Sequence, residues 1–368
     1  MGIKTRNFAN NILSGGTIDG TDFLSGTLPS SNITNDSAAS VTSIPSISNV
    51  VSTVAGDPPS PTLGDIWYNS STNALKFQGF QAAAFSSGGN LNTAQYDVSG
   101  TGVLTAQVQA GGYNGSTRTA LTENYDGTTW TSSATKPTAV FAGGMAGTQT
   151  AAWYASGNNA PGGGRTSSTE EYDGAAWTAG GNVNTARQQI AAQNGGTLTA
   201  GIIFGGNGGP TATETYDGTS WTTEPATVND GRWNGMGTGS QIAAVLAGAD
   251  NPATSNVEEY NGTSWSEVNN MPEIRYSGAT IGNSQTDYIV ATGQTPAPAL
   301  ITNSISYDGT SWATGASNSL GRGLLGGSSQ TSTASGVIYG GFDPGFSPSS
   351  ATEEYTGATA LTKTFTTD

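Results

Sequence analysis

Short apolar runs that end in glycine recur along most of this chain, separated by stretches rich in Ser, Thr, Asn and Gly. The runs read VQAGG to Gly112, AWYASG to Gly157, GIIFGG to Gly206, AAVLAG to Gly248, DYIVATG to Gly293 and GVIYGG to Gly341. A short apolar run followed by Gly predicts a strand covered on both faces and then a turn. A second block follows each run. It reads YDGTTW from Tyr125, YDGAAW from Tyr172, YDGTSW from Tyr216, YNGTSW from Tyr260 and YDGTSW from Tyr307, with a worn copy, YTGATAL, running from Tyr355 to Leu361. Successive tyrosines stand 47, 44, 44, 47 and 48 residues apart, within the range of four-stranded propeller blades.

The third repeat shows how the strands are expected to lie. QQIAAQNGG (188–196) is an inner strand, TAGIIFGG (199–206) a second, TATETYDG (211–218) a third and TSWTT (219–223) the outer one. Asp-Gly between the last two predicts a two-residue hairpin. Glutamate stands two residues before the tyrosine at Glu123, Glu170, Glu214, Glu258 and Glu353, with Ile305 in the fifth copy. Residues two apart share one face of a strand. Arginine follows Trp177, Trp221, Trp265 and Trp312 as Arg187, Arg232, Arg275 and Arg322, at spacings of 10, 11, 10 and 10. A buried arginine needs an acceptor. The repeated glutamate is the natural one, and pairing within one repeat would join Arg232 to Glu214. Trp130, Trp177, Trp221, Trp265 and Trp312 are expected to fill the wedges between neighbouring blades, and Trp153, matching Phe204 and Tyr339, is expected in the core.

Glycine pair, Tyr and Trp at fixed separation, and a following Arg together resemble the kelch repeat over roughly 88–361. The likeness implies an all-β, kelch-like propeller of about six four-stranded blades, with a seventh left open. The sequence departs from the pattern where Gly-Gly is incomplete, where no Arg follows Trp130, and where Leu361 stands in place of the last Trp.

Composition narrows the chemistry. Hydrophobic residues make up 34% and charged residues 10% of the chain, and 54 Gly and 15 Pro disfavour long helices. Neither Cys nor His occurs, which removes thiol nucleophiles, His-based metal sites and Ser–His–Asp triads. No D-x-D-x-D-G loop suggests calcium. No cofactor and no metal is therefore expected. The net charge is −15 and the 11 Lys and Arg are scattered, so nucleic acid is not an expected partner. No stretch approaches the ~20 apolar residues of a membrane helix, and MGIKTRNFANNILSGG lacks the apolar core of a secretory signal. The chain is expected to stay in the cytosol that makes it, or to leave by lysis inside a particle.

The first ninety residues differ. Residues 1–56 contain no Trp or Tyr and cannot bury enough surface to fold alone, so they are expected to form an extended polar anchor held against a partner. PPSPTLGDIWYNSSTNALKFQGFQAAAF (58–85) predicts a hairpin of DIWYN and NALKF around Ser-Ser-Thr, within a small β-module at 57–87. Its last strands could begin a seventh blade or close the ring of the propeller, which is placed at 88–368. The GDIWYNSSTNALK segment resembles a module of phage tail-fibre and appendage proteins. That resemblance implies a non-enzymatic virion protein assembled in the host cytoplasm. It would be a homo-oligomer, docked to other virion proteins through residues 1–56, with the propeller turned to a host-surface glycan or protein. Two other readings stand beside it. One is a capsid or tail decoration protein without receptor binding, and the other is a propeller glycan hydrolase.

Repeated aromatics and glutamates at blade period read as scaffold. Binding candidates are sought instead where the period fails. Trp233 follows Arg232 and Tyr276 follows Arg275, both near the mouth of the expected channel. Phe342 and Phe346 lie in FDPGFSPSSA (342–351), one of three variable loops with NNAPGGGRTSS (158–168) and QTPAPALITN (294–303). Function on a rigid scaffold usually lies in such loops.

Overall fold

The computed structural model describes residues 52–160, 164–190, 192–296, 299–330 and 332–364, and contains no helix among them. The expected anchor at 1–56 lies almost wholly outside the described residues. The chain forms two units. The smaller holds Met1–Gln81 and Thr359–Asp368, the larger Ala82–Ala358. The boundaries therefore differ from an expected division at 87/88, because the last strand of the chain returns to the small unit.

In the small unit, Ile66–Asn69 and Ala74–Gln81 form the expected hairpin. Ser52–Val54 adds to one side in parallel, and Thr359–Thr364 to the other side antiparallel. Asp57 ties this sheet together. Its carboxylate accepts from Trp67 Nε1 at 3.1 Å, Asn69 Nδ2 at 2.7 Å and Lys76 Nζ at 2.8 Å. These donors, Lys76 first, hold its carboxyl down at about 2.

The large unit repeats one arrangement six times. Four antiparallel strands lie at 99–132, 144–179, 192–223, 236–268 and 279–317, and the sixth group spans 326–356 together with Ala84–Ser87. The third and fourth groups join edge to edge where Ala192–Thr197 runs parallel to Met236–Ser240. This all-β pattern of mostly four-stranded antiparallel sheets is consistent with a β-propeller.

The outer strand of the sixth sheet corrects the sequence reading. Tyr and Trp stand directly opposite each other in the first five sheets, from Tyr125 and Trp130 to Tyr307 and Trp312. In the sixth, Tyr355 stands opposite Phe85, with ring centroids 4.9 Å apart. Phe85, not Leu361, takes the place of the missing tryptophan. Leu361 pairs with Gly79 in the small unit.

The Asp-Gly turns also differ from expectation. Four residues, not two, separate the paired Tyr and Trp. Asp217 Oδ1 accepts from the amides of Thr219 and Ser220 at 2.8 and 2.7 Å, and Gly218 adopts φ +91°. Asn261 does the same work in the fourth sheet, because only one side-chain oxygen is needed.

Packing between sheets follows the repeat. Trp130, Trp177, Trp221 and Trp265 are buried. Each donates its indole N–H to a threonine of the preceding sheet: Thr352, Thr122, Thr169 and Thr213, at 2.9–3.0 Å. The first sheet is thereby bonded to the sixth. Trp153, wholly buried, packs edge-on to Trp221 at 5.2 Å. Tyr339 does the same with Trp130 at 4.8 Å. Trp312, which is less buried, donates to the carbonyl of Asn269 at 3.0 Å.

The arginines pair with glutamates, but one repeat later than supposed. Arg187 bonds Glu214, Arg232 bonds Glu258 at 2.7 Å and Arg322 bonds Glu353 at 2.8 Å. Arg232 does not pair with Glu214. Each arginine enters the inner strand of the next sheet, so the glutamate in reach is that sheet's own. In the fifth sheet Ile305 holds the glutamate position, and Arg275 bonds Glu273 at 2.6 Å and Asn303 Oδ1 at 2.8 Å instead. In the second sheet, where no arginine follows Trp130, Lys136 bonds Glu170 and lies 4.1 Å from the Tyr154 ring centroid. Burial lowers the Lys136 ammonium to about 8, although Glu170 opposes that.

Candidate ligand-binding face

Six residues that open the inner strands form a circuit. Asp97, Ala142, Gln189, Asn234, Ser277 and Leu324 all have φ between 51° and 58°. Ala142 N donates to Asp97 O, Gln189 N to Ala142 O, Asn234 N to Gln189 O, Ser277 N to Asn234 O and Leu324 N to Ser277 O. Asp97 N donates to Leu324 O, which returns the chain of bonds to its start, and all six measure 2.7–3.2 Å. Left-handed backbone costs a non-glycine residue energy. Here each such residue has both its backbone groups engaged.

The residue before each of these defines one end of the six sheets. The positions are Tyr96, Phe141, Gln188, Trp233, Tyr276 and Gly323. Each forms an antiparallel bridge with a residue that follows a second strand: Tyr113, Asn158, Asn207, Asn251, Gln294 and Phe342, respectively. The scaffold is the same six times, but the side chains differ.

Aromatic rings gather on one side of this face. Phe346 stacks on Phe342 with centroids 5.3 Å apart. Phe342 meets Tyr96 at 5.9 Å, Tyr96 meets Tyr113 at 5.4 Å, and Tyr113 meets Phe141 at 5.5 Å. Gly323 makes room for this arc, since a Cβ there would lie 2.7 Å from Phe342 Cζ. At the far end Arg118 places its guanidinium 5.5 Å from the Phe141 centroid.

The four binding candidates therefore separate. Phe346 is 65% exposed, whereas Phe342 is only 6% exposed and serves as its platform. Trp233 and Tyr276 occupy equivalent rim positions in the fourth and fifth sheets, half-buried and outside the arc. Trp233 Nε1 has no hydrogen-bond partner among the described residues, and Tyr276 donates its hydroxyl to Thr295 O at 3.1 Å. Tyr96, Tyr113 and Phe141 were missed. Aligning the repeats on Arg conceals them, because Gln95 and Val140 hold the arginine position in the first two copies.

Two carboxyls lie at this end of the sheets. Asp97 is 7% exposed, and burial, then the charge of Asp250, raises its carboxyl to about 7. Burial also raises Asp250, whose Oδ2 accepts from Asn234 Nδ2 at 2.8 Å while Oδ1 is buried without a partner among the described residues. The face can thus stack on flat rings or sugar faces, offer amides to hydroxyls, and retain a proton near neutrality. No group of three or more acidic residues that could hold a metal occurs among the described residues. Two shallow hollows of about 450 and 500 Å³ lie elsewhere, one lined by Asp287, Ile289 and Tyr355 and the other by Glu267 and Tyr307. No family model matches the chain, and comparison with curated proteins gives no match.

Proposed function

We propose that this chain is a non-enzymatic structural protein of a phage particle, of tail-fibre or appendage type. Its repeat region acts as a kelch-like propeller of six blades that binds a glycan or protein of the host surface. Residues 1–56 dock to neighbouring virion proteins, and the protein works as a homo-oligomer on a virion assembled in the host cytoplasm. The observation that carries the binding role is the aromatic arc ending in exposed Phe346. The seam tryptophans are spent on packing between sheets, whereas these rings gather at the rim, where the side chains differ from copy to copy. The closed circuit of hydrogen bonds and the Trp130–Thr352 bond support a ring of six. The phage assignment rests on the GDIWYN segment. A decoration role is the second reading, favoured by Thr359–Thr364 of the small unit being exposed at every position.

The test is binding of the folded full-length protein to envelopes from a panel of bacteria. Saturable binding to some hosts only, weakened at least fivefold by Phe346→Ala with unchanged unfolding, is expected. Absence of binding to every envelope would transfer the case to decoration.

A further inference from the structure

We infer that the part of this face around Asn158 binds a carboxylate-bearing saccharide. The inference rests on the receptor-binding reading above and narrows its ligand. Six arginines are described, and four of them, Arg187, Arg232, Arg275 and Arg322, bond a carboxylate. Arg118 and Arg165 have only neutral partners among the described residues. Arg118 donates from Nε to Asn158 Oδ1 at 3.0 Å and from Nη2 to Ala160 O at 2.6 Å. Arg165 donates to Asn207 Oδ1. In a chain with 26 acidic residues and 11 basic ones, two guanidiniums without a counter-charge need a reason.

They also meet at one place. Arg165 stands directly opposite Asn158 across a two-stranded ribbon, so their side chains lie on the same side of it. Arg118 reaches the same Asn158 from the neighbouring repeat. Asn158 is bridged in turn to Phe141, the last ring of the arc. Asn158 Nδ2 donates to Gln188 Oε1 at 2.7 Å, which fixes both amides beside the cations. The neutral bonds hold each guanidinium in place and leave part of its five-donor fork unused. A planar fork of this kind matches a carboxylate. Phe141 and Tyr113 supply flat apolar faces next to it, against which a sugar ring can lie, and the amides suit its hydroxyls. The overall charge of −15 does not oppose this, because exposed charges more than ~8 Å away are largely screened at physiological salt. The groups bonded directly to the two guanidiniums are neutral side-chain amides and a backbone carbonyl.

The experiment measures binding of the full-length protein to polygalacturonate, alginate and hyaluronate, to their carboxyl-reduced forms and to dextran, alongside the host envelopes. Arg165→Gln, at an exposed position, and Arg118→Gln are tested with a melting curve for each. The expected result is binding to at least one acidic polymer, at least tenfold weaker after carboxyl reduction and weakening as salt rises. Arg165→Gln should lower it at least fivefold with an unchanged melting curve, so the outcome does not hang on Arg118→Gln folding. Equal binding to charged and reduced polymers, or no loss in Arg165→Gln, overturns the inference. So does envelope binding that no acidic polymer competes for, or that protease treatment of the envelope removes, and either leaves the receptor reading standing. Failure to bind any envelope removes both.

Discussion

The seams between sheets and the loop face are built from equivalent positions of the same repeat, yet they use them in opposite ways. At the seams a given position keeps its chemistry. Trp bonds Thr of the preceding sheet four times, and a cation bonds the glutamate two residues before Tyr in the second, third, fourth and sixth sheets. At the face the six rim positions carry Tyr, Phe, Gln, Trp, Tyr and Gly on one backbone pattern. Periodicity marks what holds the molecule together. Its failure on an unchanged backbone marks where side chains are free to serve a ligand.

The comparison breaks first at the seams. Trp221→Ala leaves a cavity beside Trp153 and should lower unfolding free energy by about 3–5 kcal/mol in denaturant titrations. A loss below ~1 kcal/mol would mean that the seams are not what stabilises the unit.

Next in size is a contrast between two glutamates. Glu258→Gln removes the charge facing wholly buried Arg232 and should cost about 3 kcal/mol. Glu273, 41% exposed beside Arg275, should cost less than ~1 kcal/mol when made Gln. Equal losses would show that the pairing register is unimportant.

The smallest effect sharpens the face. The folded-state value of Asp97 is raised to about 7, above its unfolded value near 4. Folding then favours the protonated form, so stability is full below about pH 4 and declines as pH rises to about 7. Asp97→Asn keeps a residue that tolerates positive φ. It should flatten that decline and stabilise the protein at pH 8 by roughly 1–2 kcal/mol, read from melting curves across pH. An unchanged pH profile would place the decline elsewhere.

Much of the seam was legible in the sequence, since the 44–48-residue period and the near-constant spacing of Tyr, Trp and Arg in most copies reflect one packing solution reused. What remained hidden was which copy each residue touches. Arg232 precedes the inner strand that opens the fourth sheet, so it reaches forward to Glu258, whereas spacing alone suggested Glu214. Leu361 stands six residues after Tyr355 where each tryptophan stands five after its tyrosine, and the strand that carries it is drawn to Ala74–Gln81 by pairing that linear order does not encode. On the face, Trp233 and Tyr276 could be read because an arginine flags them. Tyr96 and Phe141 occupy the same position behind Gln95 and Val140, so they emerge only once backbone conformation, with its positive φ at the following residue, aligns the copies.

The sixth sheet takes its outer strand, Ala84–Ser87, from the beginning of the unit and its other three from the end. A ribosome therefore releases the first strand long before its partner. At roughly 5–20 residues per second, the interval between Ser87 and Thr352 is on the order of tens of seconds. Through that time Ala84–Ser87 lacks the strand it pairs with in the finished sheet, and exposed strand edges invite pairing with other chains. Neighbouring nascent chains on one message would present the same complementary edges. Production in quantity thus favours conditions that slow collision between incomplete chains, such as lower temperature or slower initiation, over any change to the finished fold.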